Sequence, residues 1–255
     1  MKKPTFLQYT KPLICAMITE DTVDKCQSVI ANSIADGAEA IGIQLDKLKL
    51  DERSEDKLRR LFSFCKGLPI YVTSYRTANS VGLTDDECAD LLLLAAKCGA
   101  TLCDIMNDFY DKQPYEFTQN EVAIEKQKEL AKKLHDMGVE VLFSCHTHTS
   151  FDKETILAVA KQQAEKGADV IKIVNFANNK HEFLENIDAC VSISEVTDKK
   201  YLFLTSGSYS GRFLRYVGPS LGVCMYLCVE SYKDGSSYDQ PKITAIKQVR
   251  DGITL

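Results

Sequence analysis

Short apolar runs alternate with longer stretches in which apolar residues recur every three or four positions. The short runs are apolar at consecutive positions, which predicts strands of a parallel sheet that are buried on both faces. The longer stretches have the helical period and predict amphipathic helices. Strands are predicted over residues 12–17, 40–45, 68–74, 101–106, 139–145, 169–174, 201–205 and 222–229. Helices are predicted over residues 21–36, 54–65, 85–97, 120–137, 152–166, 180–196 and 210–216.

Residues at the predicted boundaries agree with these elements. Thr84, followed three residues later by Glu87, resembles the capping box that begins a helix. Gly99, Gly138 and Gly167 each lie between a predicted helix and a predicted strand, where a left-handed helix end favours glycine.

Eight strands that alternate with helices in 255 residues predict an α/β fold, the (β/α)8 TIM barrel. A doubly wound open sheet is the alternative, but no Gly-rich phosphate loop follows an early strand. We expect one domain over residues 1–255. The tract most like a linker, residues 235–241, follows the last predicted strand, where a barrel has a catalytic-face loop.

Composition narrows the functional classes. The net charge of −5 gives no support for binding nucleic acid or an anionic membrane. The apolar runs are too short to span a bilayer, and no apolar signal core follows the first residues, so we expect a cytoplasmic protein. The ten cysteines include no C-x-x-C pair, and several lie in apolar runs, which favours reduced core thiols.

The residue most suggestive of chemistry is Lys172, the only charged residue in the apolar run 170–174. A charged, unpaired lysine is costly inside a sheet, and a neutral amine is a nucleophile toward ketones. His146 ends the preceding predicted strand and could move the protons that such chemistry requires. The pair predicts an imine-forming enzyme. The plainer alternative is that Lys172 pairs with an acid such as Asp104 or Asp169.

Catalytic groups of barrels lie at the carboxyl ends of the strands and in the loops that follow. That rule selects polar side chains that suit a small oxygenated anion carrying a ketone, and no carboxylate stands out among them. They are Tyr75, Arg76, His146, His148, Lys172, the loop 205–212, Arg215, Ser236, Ser237 and Gln240. For Arg76 and for Arg215, a surface salt bridge is as good an explanation as an anion-binding role.

A zinc site is a further possibility, because His146 and His148 would face the same way on a strand. Such a site needs more histidines, and the two that remain, His135 and His181, lie in predicted helices. We therefore expect no metal.

Five segments, in order and at matching spacing, resemble type I 3-dehydroquinate dehydratase, a (β/α)8 Schiff-base lyase of the shikimate pathway and aromatic amino acid biosynthesis. They are residues 75–78, 142–146, 167–173, 211–215 and 236–240. The resemblance covers almost the whole chain. It implies an enzyme that converts 3-dehydroquinate to 3-dehydroshikimate or acts on a related keto-acid. It also implies a homodimer.

The resemblance also implies roles for individual residues. Lys172 would form an imine with the substrate ketone, which makes a separate cofactor unnecessary. His146 would remove the proton next to the iminium carbon and then protonate the departing hydroxyl. Arg215, with Ser236 and Gln240, would hold the carboxylate, which suits a bidentate guanidinium. Arg76 would reach the ring hydroxyls.

Two departures from the family pattern stand out. The family has Glu-x-Arg-x-Asp on strand two, whereas this chain has Gly42 and Gln44 in place of the acid and the arginine. The family also has an acid after strand three that orients the histidine, and here Ser80 is the available residue. A hydroxyl raises histidine basicity less than a carboxylate does.

Two other functions stay open. A class I aldolase-type carbon–carbon lyase shares the barrel and the lysine strand, and residues 206–208 could contribute to the phosphate site that it would require. A catalytically impaired paralogue that binds a keto-acid without turnover is favoured by the missing strand-two residues, but the presence of both His146 and Lys172 counts against it.

Overall fold

The computed structural model describes residues 4–76, 82–233 and 238–253. Its strands are β1 Leu13–Ile18, β2 Ala40–Gln44, β3 Ile70–Thr73, β4 Leu102–Met106, β5 Glu140–His146, β6 Val170–Phe176, β7 Lys200–Ser206 and β8 Met225–Cys228. Its helices are α1 Val23–Ala35, α2 Glu55–Ser63, α3 Asp85–Cys98, α4 Glu121–Asp136, α5 Lys153–Glu165, α6 Lys180–Val196, α7 Phe213–Val217 and α8 Ile243–Ile253. Short 3-10 turns cover Leu45–Lys47, Leu50–Glu52 and Gly218–Leu221.

All eight strands form one parallel sheet in the order β7-β6-β5-β4-β3-β2-β1-β8. The two end strands approach each other, because the Cys224 N–H before β8 donates to Tyr201 O of β7 at 2.9 Å. Helices alternate with the strands. The sheet is therefore a nearly closed barrel, and the predicted (β/α)8 TIM barrel is confirmed.

The local signals act as predicted at the helix ends. Thr84 and Glu87 form the full capping box of α3. Gly99, Gly138 and Gly167 all have positive φ, which a residue with a side chain rarely adopts. Helix α8 was absent from the sequence prediction. Its β-branched first residues, Ile243 and Thr244, lower helix propensity, and burial of Ile243 and Ile246 compensates for this.

Strand register determines which side chains enter the barrel. Successive residues of a strand point to opposite faces, and paired residues of parallel neighbours share a face. Lys172 pairs with Ser144, and Asp104 pairs with Thr73, so these four side chains point into the same interior. The barrel interior therefore contains an amine and a carboxylate, together with two hydroxyls.

The cysteines are part of this packing. All ten are free thiols, and nine of them are buried. No helix in the described part of the chain is both long and apolar enough to cross a membrane.

Candidate active site

Two adjoining cavities open at the carboxyl ends of the strands. The first, here called the imine cavity, has a volume of about 220 Å³, and its walls include Lys172, Arg215, Gln44 and Gln240. The second, here called the outer cavity, has a volume of about 360 Å³ and lies beside the loops that follow β3, β4 and β5. Tyr75 and His146 line both cavities. Most of the selected residues that the structure describes therefore line one or both cavities: Tyr75, Arg76, His146, His148, Lys172, Arg215 and Gln240.

Lys172 is held by a cluster of three oxygen atoms. Its Nζ lies 2.7 Å from Tyr75 Oη, 3.1 Å from Tyr71 Oη and 3.1 Å from Asp104 Oδ2. The Tyr71 and Tyr75 hydroxyls donate to the same Asp104 Oδ2, at 2.5 and 2.7 Å. We call these four residues the lysine cluster. Of the two acids considered as partners of Lys172, Asp104 forms the ion pair. Asp169 instead pairs with His135, at 2.8 Å.

Both phenols of the lysine cluster stay protonated at neutral pH. Burial, followed by the nearby charge of Asp104, raises the pKa of Tyr71 and of Tyr75 well above the ordinary value. Each hydroxyl can therefore donate one hydrogen bond and accept another, which is the arrangement found around Lys172.

His146 is oriented by a carboxylate. Its Nδ1 lies 2.7 Å from Glu116 Oε2, and its backbone N–H donates to the same oxygen at 2.9 Å. With Nδ1 held in this way, Nε2 is the nitrogen left to act as a base. Burial opposes ionisation of Glu116, but the nearby His146 and its hydrogen bonds outweigh burial and lower the pKa of this carboxyl.

The sequence expectation that His146 lacks a carboxylate partner is therefore wrong. Ser80 was the residue available after strand three, and it lies outside the described residues. Glu116 comes instead from the loop between β4 and α4, 30 residues before the histidine. Its φ of 49° is unusual for a residue with a side chain, a backbone strain that often marks functional positions.

Arg76 ties this loop to the barrel. Its guanidinium forms ion pairs with Asp85 at the start of α3 and with Asp108 after β4, and it also donates to Asp108 O at 2.7 Å. Asp108 Oδ2 in turn accepts the Gln113 N–H at 2.8 Å. Arg76 lines the outer cavity, so the predicted contact with substrate hydroxyls stays a prediction beside this structural role.

Arg215 is a buried cation on the wall of the imine cavity. Its Nε donates to Thr205 O at 2.9 Å, and its Nη2 donates to Ser206 Oγ at 3.2 Å. No carboxylate of the described residues lies within 4.0 Å of its nitrogens, and Asp239 acts from a longer distance. Burial lowers the pKa of Arg215 to about 10, so the group stays charged at neutral pH. This charge is available to an anionic ligand.

The remaining predicted site residues do not all lie in the same cavity. Gln240 and Gln44 line the imine cavity beside Arg215, whereas Ser236 lies outside the described residues. His148 lines the outer cavity with 61% of its side chain exposed, and its Nε2 is 3.9 Å from Glu116. In residues 4–76, 82–233 and 238–253, no group of three or more potential metal ligands is present.

Comparison with known proteins gives a consistent result. Residues 14–253 match the sequence profile of the type I 3-dehydroquinase family. The chain belongs to this family. It is 26% identical over 201 residues to the 3-dehydroquinate dehydratase of Staphylococcus carnosus strain TM300, covering 73% of this chain and 77% of that protein.

Solved structures of type I dehydroquinases have the same fold. The 3-dehydroquinate dehydratase of Geobacillus kaustophilus HTA426 superposes with a TM-score of 0.83 at 17% identity, covering 96% of this chain and 92% of that one. The Clostridium difficile enzyme, described with covalently modified comenic acid, gives a TM-score of 0.79 at 19% identity, covering 96% and 93%.

The structure also shows what occupies the place of the family's strand-two acid. A Cβ on Gly42 would overlap Met17 Sδ and would lie 3.1 Å from Tyr71 Cδ1. The side chains of Met17 and Tyr71 therefore fill the space beside Gly42. One of these two residues, Tyr71, is a phenol of the lysine cluster.

Proposed function

We propose that this protein is a Schiff-base hydro-lyase that dehydrates 3-dehydroquinate to 3-dehydroshikimate. One observation carries the proposal: Lys172, His146 and the buried guanidinium of Arg215 line a single cavity. A nucleophilic amine, an oriented base and an anion site are the groups required to eliminate water from a keto-acid through an imine.

Each group has a defined role in this reaction. Lys172 Nζ attacks the ketone, and the iminium that forms accepts electrons when His146 removes the proton on the adjacent carbon. The same histidine, now protonated, gives its proton to the departing hydroxyl, and water then releases the product from Lys172. Arg215 and Gln240 hold the carboxylate from one side of the cavity. No separate cofactor enters these steps.

The β2 side of the imine cavity determines how well 3-dehydroquinate fits compared with a related keto-acid. Gly42 offers no side chain, and Gln44 contributes only an amide to the wall. A site that loses hydrogen-bond partners for substrate hydroxyls discriminates less between substrates that differ in those hydroxyls. We therefore expect a higher KM for 3-dehydroquinate than a site with the family's acid and arginine would have.

Turnover of 3-dehydroquinate tests the proposal, followed by the near-ultraviolet absorbance of the conjugated product. Lys172→Met should abolish turnover while leaving binding of the keto-acid largely intact, because Arg215 remains in place. Turnover by the Lys172→Met variant, or no turnover by the wild-type protein, would contradict the proposal. Binding without turnover by the wild-type protein would identify a keto-acid-binding paralogue.

Family membership favours dehydration over the aldolase reaction. We further propose a cytoplasmic homodimer that acts on this small molecule and does not require nucleic acid or a membrane. The dimer rests on family resemblance alone, and light scattering of the purified protein measures it directly.

A further inference from the structure

We propose that Tyr75 is a further catalytic residue, which carries protons between Lys172 Nζ and the carbonyl oxygen while the imine forms and is hydrolysed. Asp104 holds the proton in transit. This inference rests on the imine chemistry of the proposed function, and it concerns the proton transfers at Lys172 Nζ.

The proton balance of imine formation requires such a carrier. A lysine ammonium and a ketone give an iminium and one water molecule. The two protons that leave the nitrogen both end on the former carbonyl oxygen. One group near Nζ must therefore accept protons from nitrogen and deliver them to an oxygen in the cavity.

The lysine cluster places Tyr75 at that position. Among the described residues, the oxygen atoms within hydrogen-bond distance of Nζ belong to Tyr71, Tyr75 and Asp104. Tyr71 and Asp104 are fully buried, whereas Tyr75 is partly exposed and lines both cavities. Tyr75 Oη is also the closest of the three oxygens, at 2.7 Å. It is the member of the cluster that meets both the amine and the substrate space.

Asp104 is placed to hold the proton between these steps. Its Oδ2 accepts hydrogen bonds from the Lys172 amine and from the Tyr71 and Tyr75 hydroxyls. This one oxygen therefore contacts both the amine that gives up the proton and the Tyr75 hydroxyl that delivers it.

Lys172 passes one proton to Asp104, and the neutral amine bonds to the ketone carbon while the carbonyl electron pair moves to oxygen. Tyr75 then takes a second proton from the nitrogen as its own hydroxyl proton goes to that oxygen, which gives a neutral carbinolamine. The nitrogen lone pair forms the C=N bond and the hydroxyl leaves as water, with the proton stored on Asp104 delivered through Tyr75.

The tyrosine at position 75 also contacts the general base. Its ring packs edge-on against His146, with centroids 5.5 Å apart, so loss of the whole ring would disturb both residues. The informative change is therefore Tyr75→Phe, which removes the hydroxyl and keeps the ring. Tyr71→Phe is the matched control, because it removes the other phenol of the cluster from a position away from the cavity wall.

The test measures the reactivity of Lys172 with 2,4-pentanedione, a diketone that converts a reactive amine into an ultraviolet-absorbing enaminone. It uses the full chain and does not depend on the natural substrate. Tyr75→Phe should slow enaminone formation about 100-fold, the range lost with a general acid–base group. Tyr71→Phe should slow it less than about tenfold. Asp104→Asn should slow it at least as much as Tyr75→Phe does.

Each outcome supports or overturns the inference. Enaminone formation by Tyr75→Phe at the wild-type rate, or an equal loss in Tyr71→Phe, would overturn it. If the wild-type protein forms the enaminone on Lys172 but does not react with 3-dehydroquinate, the proposed function fails while the Tyr75 result still decides this inference. If the wild-type protein reacts with neither compound, both fail.

Discussion

At the residue scale, the site depends on two side chains that are each held by a carboxylate from another strand or loop. His146 is held by Glu116, and Lys172 is held by Asp104. Arg215, in contrast, is buried beside a backbone carbonyl and a hydroxyl. The two carboxylates prepare the base and the amine, and the guanidinium without a close carboxylate is left to bind the substrate.

Glu116→Gln tests the orientation of the base. The amide keeps the shape of the side chain but is a weaker partner for the His146 ring, so kcat should fall about 10- to 100-fold with little change in KM. Steady-state kinetics measure this. Glu121→Gln, on the exposed first turn of α4, should leave both constants unchanged. An unchanged kcat in Glu116→Gln would show that His146 does not depend on this carboxylate.

Arg215→Lys tests the anion site. A lysine keeps the charge but loses the planar pair of donors, so KM should rise about 10- to 100-fold, as expected from the loss of one charge-assisted hydrogen bond. The exposed Arg212→Lys three residues earlier is the control. If KM rises equally in both variants, Arg215 has no special place in substrate binding.

At the scale of elements, the loop between β4 and α4 links the barrel to the base. Arg76 joins the start of α3 to Asp108, and the same loop continues to Glu116. The ends of β3, β4 and β5 are therefore connected through the Arg76 guanidinium and the carboxylates of Asp108 and Glu116. Movement of this loop would change the position of the general base.

Arg76→Gln should loosen this loop. We expect faster hydrogen exchange across residues 108–118 and about a tenfold fall in kcat. Because Arg76 acts here through Glu116, the Arg76→Gln substitution should lower kcat much less in the Glu116→Gln variant than in the wild-type protein. Fully additive losses, or a rise in KM with unchanged exchange, would instead assign Arg76 the substrate contact that the family resemblance implies.

The elements themselves were largely predictable from sequence, and the contacts between them were not. Apolar runs and caps located the eight strands, and the barrel rule then selected Lys172, His146 and Arg215. Glu116 was missed because it lies in a loop with no periodic pattern, and its partner is 30 residues away. Side chains alternate between the two faces of a strand, so Asp104 and Tyr71 can be identified as inward-facing only once the register between strands is known.

At the scale of the whole molecule, a second buried lysine affects stability. Lys166 Nζ donates to Gln127 Oε1 at 2.7 Å and to Asn107, and it lies over the Phe143 ring. Within the described chain no carboxylate is within 4.0 Å of it, and burial lowers its pKa to about 7. Unlike Lys172, this lysine has neutral partners and lies outside both cavities described above.

The pKa of Lys166 makes stability depend on pH. Above about pH 7 the folded protein has released this proton, whereas the unfolded chain keeps it until about pH 10. The unfolding free energy should therefore rise with pH between these values, by up to about 1.4 kcal/mol per pH unit from this group. Urea unfolding at several pH values should show a smaller rise for Lys166→Met. Parallel curves for the two proteins would contradict the assignment.

The same unfolding curves test the prediction of one domain over residues 1–255. One sheet that contains all eight strands predicts a single cooperative transition seen equally by fluorescence and circular dichroism. Two separated transitions would indicate units that unfold independently.

The central claim is that Lys172 forms an imine with a keto-acid, and borohydride trapping tests it most directly. The protein is reduced in the presence of 3-dehydroquinate, its intact mass is measured, and the modified peptide is mapped. We predict one reduced adduct on Lys172, absent from the Lys172→Met variant. Folded wild-type protein that shows no adduct, or an adduct on another lysine, would contradict the claim.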